Sequence, residues 1–192
     1  MFTKSILYII AATAALAGPP LVCQRIDIGN ATSLPWRHVK GWDGTDSKYD
    51  VGSLASDTLR LLDLKTPLKV RMETLRRAAV YSAKNQGFAD KITEQLLSRA
   101  KSNEAEPLGW FDAGYFVESV RQTAFIYRYD MLSEAERKTW TNRGERLGPD
   151  GRPWIEKAIR LGGKGMEPAL AMVDEYRMAD LKHHSAKVAA AK

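Results

Sequence analysis

From Ser53 onward, apolar side chains recur at every third or fourth position, the spacing that gathers them along one stripe of an α-helix. Leu54, Leu61 and Leu62 mark a short helix over about 54–63. Thr66-Pro67 then supplies a capping hydroxyl followed by a proline at the first helical position, where its missing N–H costs nothing. Leu68, Met72, Leu75, Ala79 and Ala83 carry the stripe of the helix that follows, which runs to about Gln86. Gly87 reads as the turn, glycine being the residue best able to adopt the left-handed conformation that ends helices. Phe88, Ile92, Leu96 and Ala100 form the stripe of a partner helix, and so short a connection makes the two antiparallel neighbours.

Glu106-Pro107 opens the most apolar segment: Leu108, Trp110, Phe111, Tyr115, Phe116, Val117, Val120, Phe125, Ile126 and Tyr127 surround much of its circumference. A helix apolar on most sides belongs at the centre of a fold. Ser133-Glu134-Ala135-Glu136 matches a capping box and predicts a further helix reaching about Arg146. Gly148 to Pro153 is a turn by composition. Helices at about 153–161 and 166–186 follow, separated by Gly162-Gly163, with 188–192 expected to fray. The result is three successive helix pairs, beginning near Thr66, Pro107 and Pro153. The expected fold is therefore all-α: antiparallel helical hairpins over 53–187, stacked as a short solenoid-like array or an orthogonal bundle.

Residues 18–52 break this pattern. Gly29, Pro35, Gly41, Gly44 and Gly52 interrupt every helical window, and only Arg25-Ile26-Asp27-Ile28 alternates as a short strand would. Leu34, Trp36, Val39, Trp42 and Tyr49 nevertheless set the stretch apart from a low-complexity linker. It is expected to be an irregular arm lying across the helices and held by its tryptophans. Ahead of it, Lys4, the apolar run from about Ile6 to Leu16 and the small-x-small site Ala15-Leu16-Ala17 have the architecture of a secretory signal peptide, cleaved after Ala17. The run is too short to span a bilayer, which needs about 20 apolar residues. A lipoprotein reading through Cys23 is less favoured, because bulky Val22 stands where such sites carry a small residue.

Cys23 is the one cysteine, so no intramolecular disulfide and no cysteine-based zinc or haem site can form, although an exported chain could pair through it with a second copy. The chain carries a formal net charge of +6, of which signal cleavage removes only Lys4 among charged groups. For an exported protein that excess points away from nucleic acid and toward acidic partners or anionic envelope surfaces. Residues 65–101 and 137–165 are rich in cations and 102–136 in anions, which favours pairing between neighbouring layers. Arg71, Arg76 and Arg77 are read either as internally paired or solvated, or as an anion-binding patch.

The spacing of Trp110, Ala113, Gly114 and Val117 resembles the first helix of a tetratricopeptide repeat, and Gly87-Phe88 resembles that repeat's mid-turn. The resemblance spans about 66–130. The helix pairs start 41 and 46 residues apart, against about 34 in the family, and the second-helix alanines are mostly missing. The resemblance implies a scaffold that binds a peptide or protein partner in a concave groove without catalysis; a generic helical bundle is the alternative.

Candidate chemistry is sparse. His38, His183 and His184 are the three histidines, and adjacent histidines on a helix point about 100° apart, so they cannot grip one metal without a third ligand. Gly162-Gly163-Lys164-Gly165 reads as a plain turn or as an anion-holding loop. Asp112, Tyr115 and Glu118 share roughly one face of the central helix, the carboxylates too far apart to point to glycosidase chemistry and more readily paired with cations. The densest polar and aromatic cluster spans Leu34 to Gly44: Trp36, Arg37, His38, Trp42 and Asp43 are the binding candidates there, with Trp110 and Tyr115 on the central helix. The tryptophans serve as structural anchors or as a stacking platform. No catalytic residue, cofactor or metal is assigned. The expected function is an exported binding or scaffolding module for a protein or peptide partner in the envelope or outside the cell. An envelope enzyme acting on a polymer through Trp36 to Asp43 is the alternative.

Overall fold

A computed structural model describes residues 20–39, 41–83, 85–129 and 149–190. The signal-peptide reading, the capping box at Ser133 and the helix expected over 133–146 lie outside the described residues. Among the described residues every regular element is helical, and the fold is all-α: α1 (Pro20–Cys23), a 3-10 turn (Val51–Ser53), α2 (Leu54–Leu61), α3 (Leu68–Ser82), α4 (Gln86–Ser102), α5 (Pro107–Tyr129), α6 (Arg152–Arg160) and α7 (Glu167–Ala190). No strand forms at Arg25 to Ile28; the Ile26 N–H donates to the Glu73 carboxylate instead, at 3.1 Å.

α5 is the axis of the molecule. Residues Trp110 through Ser119 are all buried, and α5 packs most extensively against α6, α3 and α4, while α2 lies over α3 and α4. Its closest approach is to the start of α6, where a Cβ on Gly114 would stand 2.6 Å from the Gly151 carbonyl oxygen and 2.7 Å from Ile155. That crossing is backbone on backbone, so the two elements meet only because both positions lack a side chain. Glu118, fully buried one turn further along α5, accepts the Gly151 N–H at 2.9 Å and a bond from Arg177 of α7 at 3.0 Å. One carboxylate thereby satisfies an orphan donor at the start of α6 and ties in the last helix.

Several local signals resolve differently from the sequence reading. The Thr66 hydroxyl donates back to the Leu61 carbonyl at 2.9 Å, closing α2 rather than capping α3, whose N-cap position is Pro67. The break between α3 and α4 is made by Asn85, whose side chain accepts the Gly87 N–H at 3.0 Å; Gly87 lies inside α4, and its φ is not positive. A side-chain acceptor one position ahead of a helix does here what a left-handed glycine was expected to do. The Gly162-Gly163 turn is a helix stop: Gly162 (φ 88°) donates to Ile159 and Gly163 to Ala158, the two bonds of a Schellman motif. Those amides are spent on the end of α6. The C-terminal segment expected to fray past 187 continues as helix to Ala190.

The arm is an integral layer of the fold. Its first residues, expected to be non-helical, form the short turn α1, and Leu21 and Val22 are 1% and 0% exposed, wedged among α3, α5 and α7. The Leu21 N–H donates to Gln122 of α5 at 2.8 Å. Leu34 is also fully buried, whereas Trp36 and Trp42 are half-buried against the core. Small aliphatic residues sink deepest, and the tryptophans brace the surface layer. Cys23 is a partly buried residue packed against the core.

Candidate functional site

α3 is where the arm is held. A helix with one apolar stripe should expose its other faces, yet Val70 through Arg76 are all buried, because the arm covers the face opposite the core. Glu73 and Arg76 are buried in full. The Arg76 guanidinium donates twice to Glu73, at 2.7 and 2.8 Å, and again to the carbonyls of Val22 at 2.9 Å and Trp42 at 3.4 Å. Arg77 donates to Glu73 at 2.8 Å and to the Leu34 carbonyl at 2.6 Å. Burial pushes the Glu73 carboxyl up, but the bonds and charges of Arg76 and Arg77 outweigh it and hold the group below the usual carboxylate range. Two guanidinium groups share the one Glu73 carboxylate and reach the arm carbonyls of Val22, Trp42 and Leu34, so the buried charges are paired and hydrogen-bonded, the condition under which buried ions are tolerated.

A second buried pair lies on α3: Arg71 donates to Asp112 of α5 and to the Asp63 carbonyl. Burial raises the Asp112 carboxyl to about 7 against the opposing pull of Arg71. Tyr115 is fully buried, and burial raises its hydroxyl pKa above the ordinary phenol value. Arg71, Arg76 and Arg77 are thus internally paired, as one sequence reading held, and the carboxylates of the central helix pair with arginines, Asp112 with Arg71 and Glu118 with Arg177 of α7 and Arg121 of α5.

The loop 37–44 closes on itself through an Arg37 N–H to Gly44 carbonyl bond of 2.7 Å, and a Cβ at Gly44 would collide with the Trp36 indole. Trp36 lies beneath two guanidinium groups, with Arg76 4.6 Å and Arg77 5.6 Å from its ring centroid, and meets Tyr81 edge-on at 6.0 Å. Beside it, the second half of the arm, the end of α3 and the start of α4 enclose a groove of about 310 Å³. Its walls include Asp43, Asp46, Tyr49, Tyr81, Asn85 and Phe88.

Hydrogen bonds fix this wall. The Tyr81 hydroxyl donates to the Pro35 carbonyl at 2.6 Å and accepts the Asp46 N–H at 2.9 Å; the Tyr49 hydroxyl donates to Asp57 at 2.8 Å. The two rings stand 5.0 Å apart at 56°. Asp43 accepts from the Thr45 amide at 3.0 Å and the Thr45 hydroxyl at 2.7 Å, and Arg37 bonds the Thr45 carbonyl at 2.7 Å. Burial, followed by Asp57 and the further negative charge of Asp50, raises the Tyr49 hydroxyl above the usual phenol value; burial also raises Tyr81, with Asp46 and Asp43 among the charges acting on it. The Tyr49 hydrogen bond and Arg60 hold Asp57 below its ordinary value.

Of the residues expected to bind, Asp43 lines the groove, Trp36 backs its tyrosine wall and Arg37 fixes its rim. His38 is exposed and Trp42 half-buried, and neither lines the groove. Trp110 and Tyr115 are core residues, and the Lys157 ammonium sits 3.5 Å from the Trp110 ring centroid. Sequence reasoning missed Asp46, Tyr49, Tyr81, Asn85 and Phe88 as a group, though Phe88 was placed on a helical stripe and Tyr49 among the arm's aromatics. Among the described residues no three His, Cys, Asp or Glu side chains gather as a metal site, and no helix is long and apolar enough to cross a membrane.

The fold and groove together define an all-helical protein with an arm-walled groove. No family model, curated protein or solved structure matches the chain.

Proposed function

We propose that the protein is an exported binding or scaffolding module that engages a protein or peptide partner through the groove between its arm and the α3–α4 junction. The observation that carries this reading is the construction of the groove wall. Carboxylates, an amide and aromatic rings face one concavity, and the tyrosines are held in place by bonds to the Pro35 carbonyl, the Asp46 amide and Asp57. Fixed aromatic faces with a few polar groups are the composition of recognition surfaces, because rigid rings lose little conformational entropy when a partner docks. The tetratricopeptide resemblance belongs to the same proposal. In its support, Trp110, Ala113, Gly114 and Val117 are all buried on α5, with Gly114 at the tightest helix crossing.

Export with cleavage after Ala17 belongs to the same proposal and rests on Lys4, the apolar run and the Ala15-Leu16-Ala17 site; the buried arm is compatible with it. Such cleavage leaves Leu21 and Val22 in the core and the Val22 carbonyl on Arg76. Processing at Cys23 as a lipoprotein would remove two fully buried residues and leave Arg76 short of an acceptor, which weighs against that route.

The test is site-specific photo-crosslinking of the full chain in native envelope extract, with a benzophenone amino acid at Phe88 or, as a control, at exposed Met178. A discrete adduct from position 88 that is absent from position 178 is expected. Equal, diffuse labelling from both positions contradicts the proposal.

A further inference from the structure

We infer that the groove is an organic-cation site, receiving an alkylammonium or guanidinium head group; this rests on the recognition reading above and names its ligand chemistry. The chain carries a net charge of +6, yet among the described residues the ionisable groups lining the groove are acids and phenols: Asp43, Asp46, Tyr49 and Tyr81. Asp50 and Asp57 add negative charge behind Tyr49. Asp57 is offset by Arg60, and Arg77, which acts on Tyr81, shares the Glu73 carboxylate with Arg76. Among the described residues no ion pair engages Asp43, Asp46 or Asp50.

The rings supply the second half of the recognition. Tyr49, Tyr81 and Phe88 line one depression, and two of them are locked at a tilt of 56° by bonds to their hydroxyls. A cation over aromatic faces is drawn by the negative π surface, and an ammonium wrapped in methyl groups loses little hydration on entering such a cage. Carboxylates beside the rings add direct attraction, and a volume of about 310 Å³ admits a head group with part of its stem. An anion would meet Asp43 and Asp46, and a neutral apolar group would leave both carboxylates without a counter-charge. The same cationic chemistry is available from a free small molecule and from a methylated lysine or arginine side chain of a partner.

Calorimetric titration of the full chain with tetramethylammonium, set against neopentyl alcohol as an uncharged ligand of similar size, decides the matter. The cation is expected to saturate one site and to bind at least about tenfold more tightly than the alcohol. Asp43→Asn/Asp46→Asn and, separately, Phe88→Leu each weaken the cation, while Met178→Ala leaves it unchanged. A capped trimethyllysine peptide binding much more tightly than tetramethylammonium assigns the source to a protein side chain, and equal binding assigns it to a free cation. Equal affinity for cation and alcohol, or no saturation by the cation, overturns the inference. The comparison of the two ligands uses the unaltered chain, so it stands even where a variant fails to fold. A crosslink from position 88 that persists in a chain deaf to tetramethylammonium sinks the cation site alone; loss of both sinks the recognition reading too.

Discussion

Glu73 is the residue on which the arm turns. It accepts from Arg76, Arg77 and the Ile26 amide at once, so Glu73→Gln removes the charge that neutralises a fully buried guanidinium. Breaking a buried pair from one side costs about 3 to 5 kcal/mol, and urea denaturation should show a loss of that order. The two buried carboxylates of this region have opposite pH signatures. Glu73 is held below its unfolded value, so its contribution is present at neutral pH and is lost as pH falls through the folded value. Asp112 is raised to about 7 from 3.8, so folding takes up a proton between those values. Its contribution is full below the unfolded pKa, declines as pH rises and levels off above about 7. Urea midpoints measured between those limits should lose this downward slope in Asp112→Asn.

At the scale of elements, α5 was legible because ten apolar side chains surround it, and no face of such a helix can be left to water. α3 was legible only on one side. Arg71, Glu73 and Arg76 look like a solvated face until the arm is laid over them; Glu73 pairs with Arg76 and Arg77 at local helical spacing, but the Asp112 carboxylate and the arm's carbonyls are partners that no local pattern encodes. The α3–α4 break shows a nearer miss: Asn85 carries the capping acceptor, and the glycine beside it drew the reading instead. Asn85→Ala should lower stability by about 1 kcal/mol, whereas Gly87→Ala, with Asn85 Oδ1 3.2 Å from the new Cβ and no positive φ to lose, should cost less. The opposite holds at the α5–α6 crossing. Gly114→Ala drives a methyl group into the Gly151 carbonyl and Ile155, and a loss of about 1 to 3 kcal/mol is expected from overpacking, read as a lower melting temperature.

On the scale of the molecule, the groove exists because residues 43–51 of the arm are pinned beside residues 80–88 of the helical body. That separation is why the site was only partly visible in the sequence: Asp43 and the Trp36 loop were, but the wall is completed by Phe88, which the helical pattern reads as a stripe residue, and by Tyr81, which lies off the α3 stripe. Binding in the groove requires the arm to be a fixed wall and not a loose tail, and amide hydrogen exchange of the full chain tests that directly. The amides of Leu21, Ile26, Arg37 and Asp46 donate to Gln122, Glu73, Gly44 and Tyr81, and they should be protected to an extent comparable with the body of α3. Exchange at all four as fast as in an unstructured peptide, while α3 stays protected, would contradict the account.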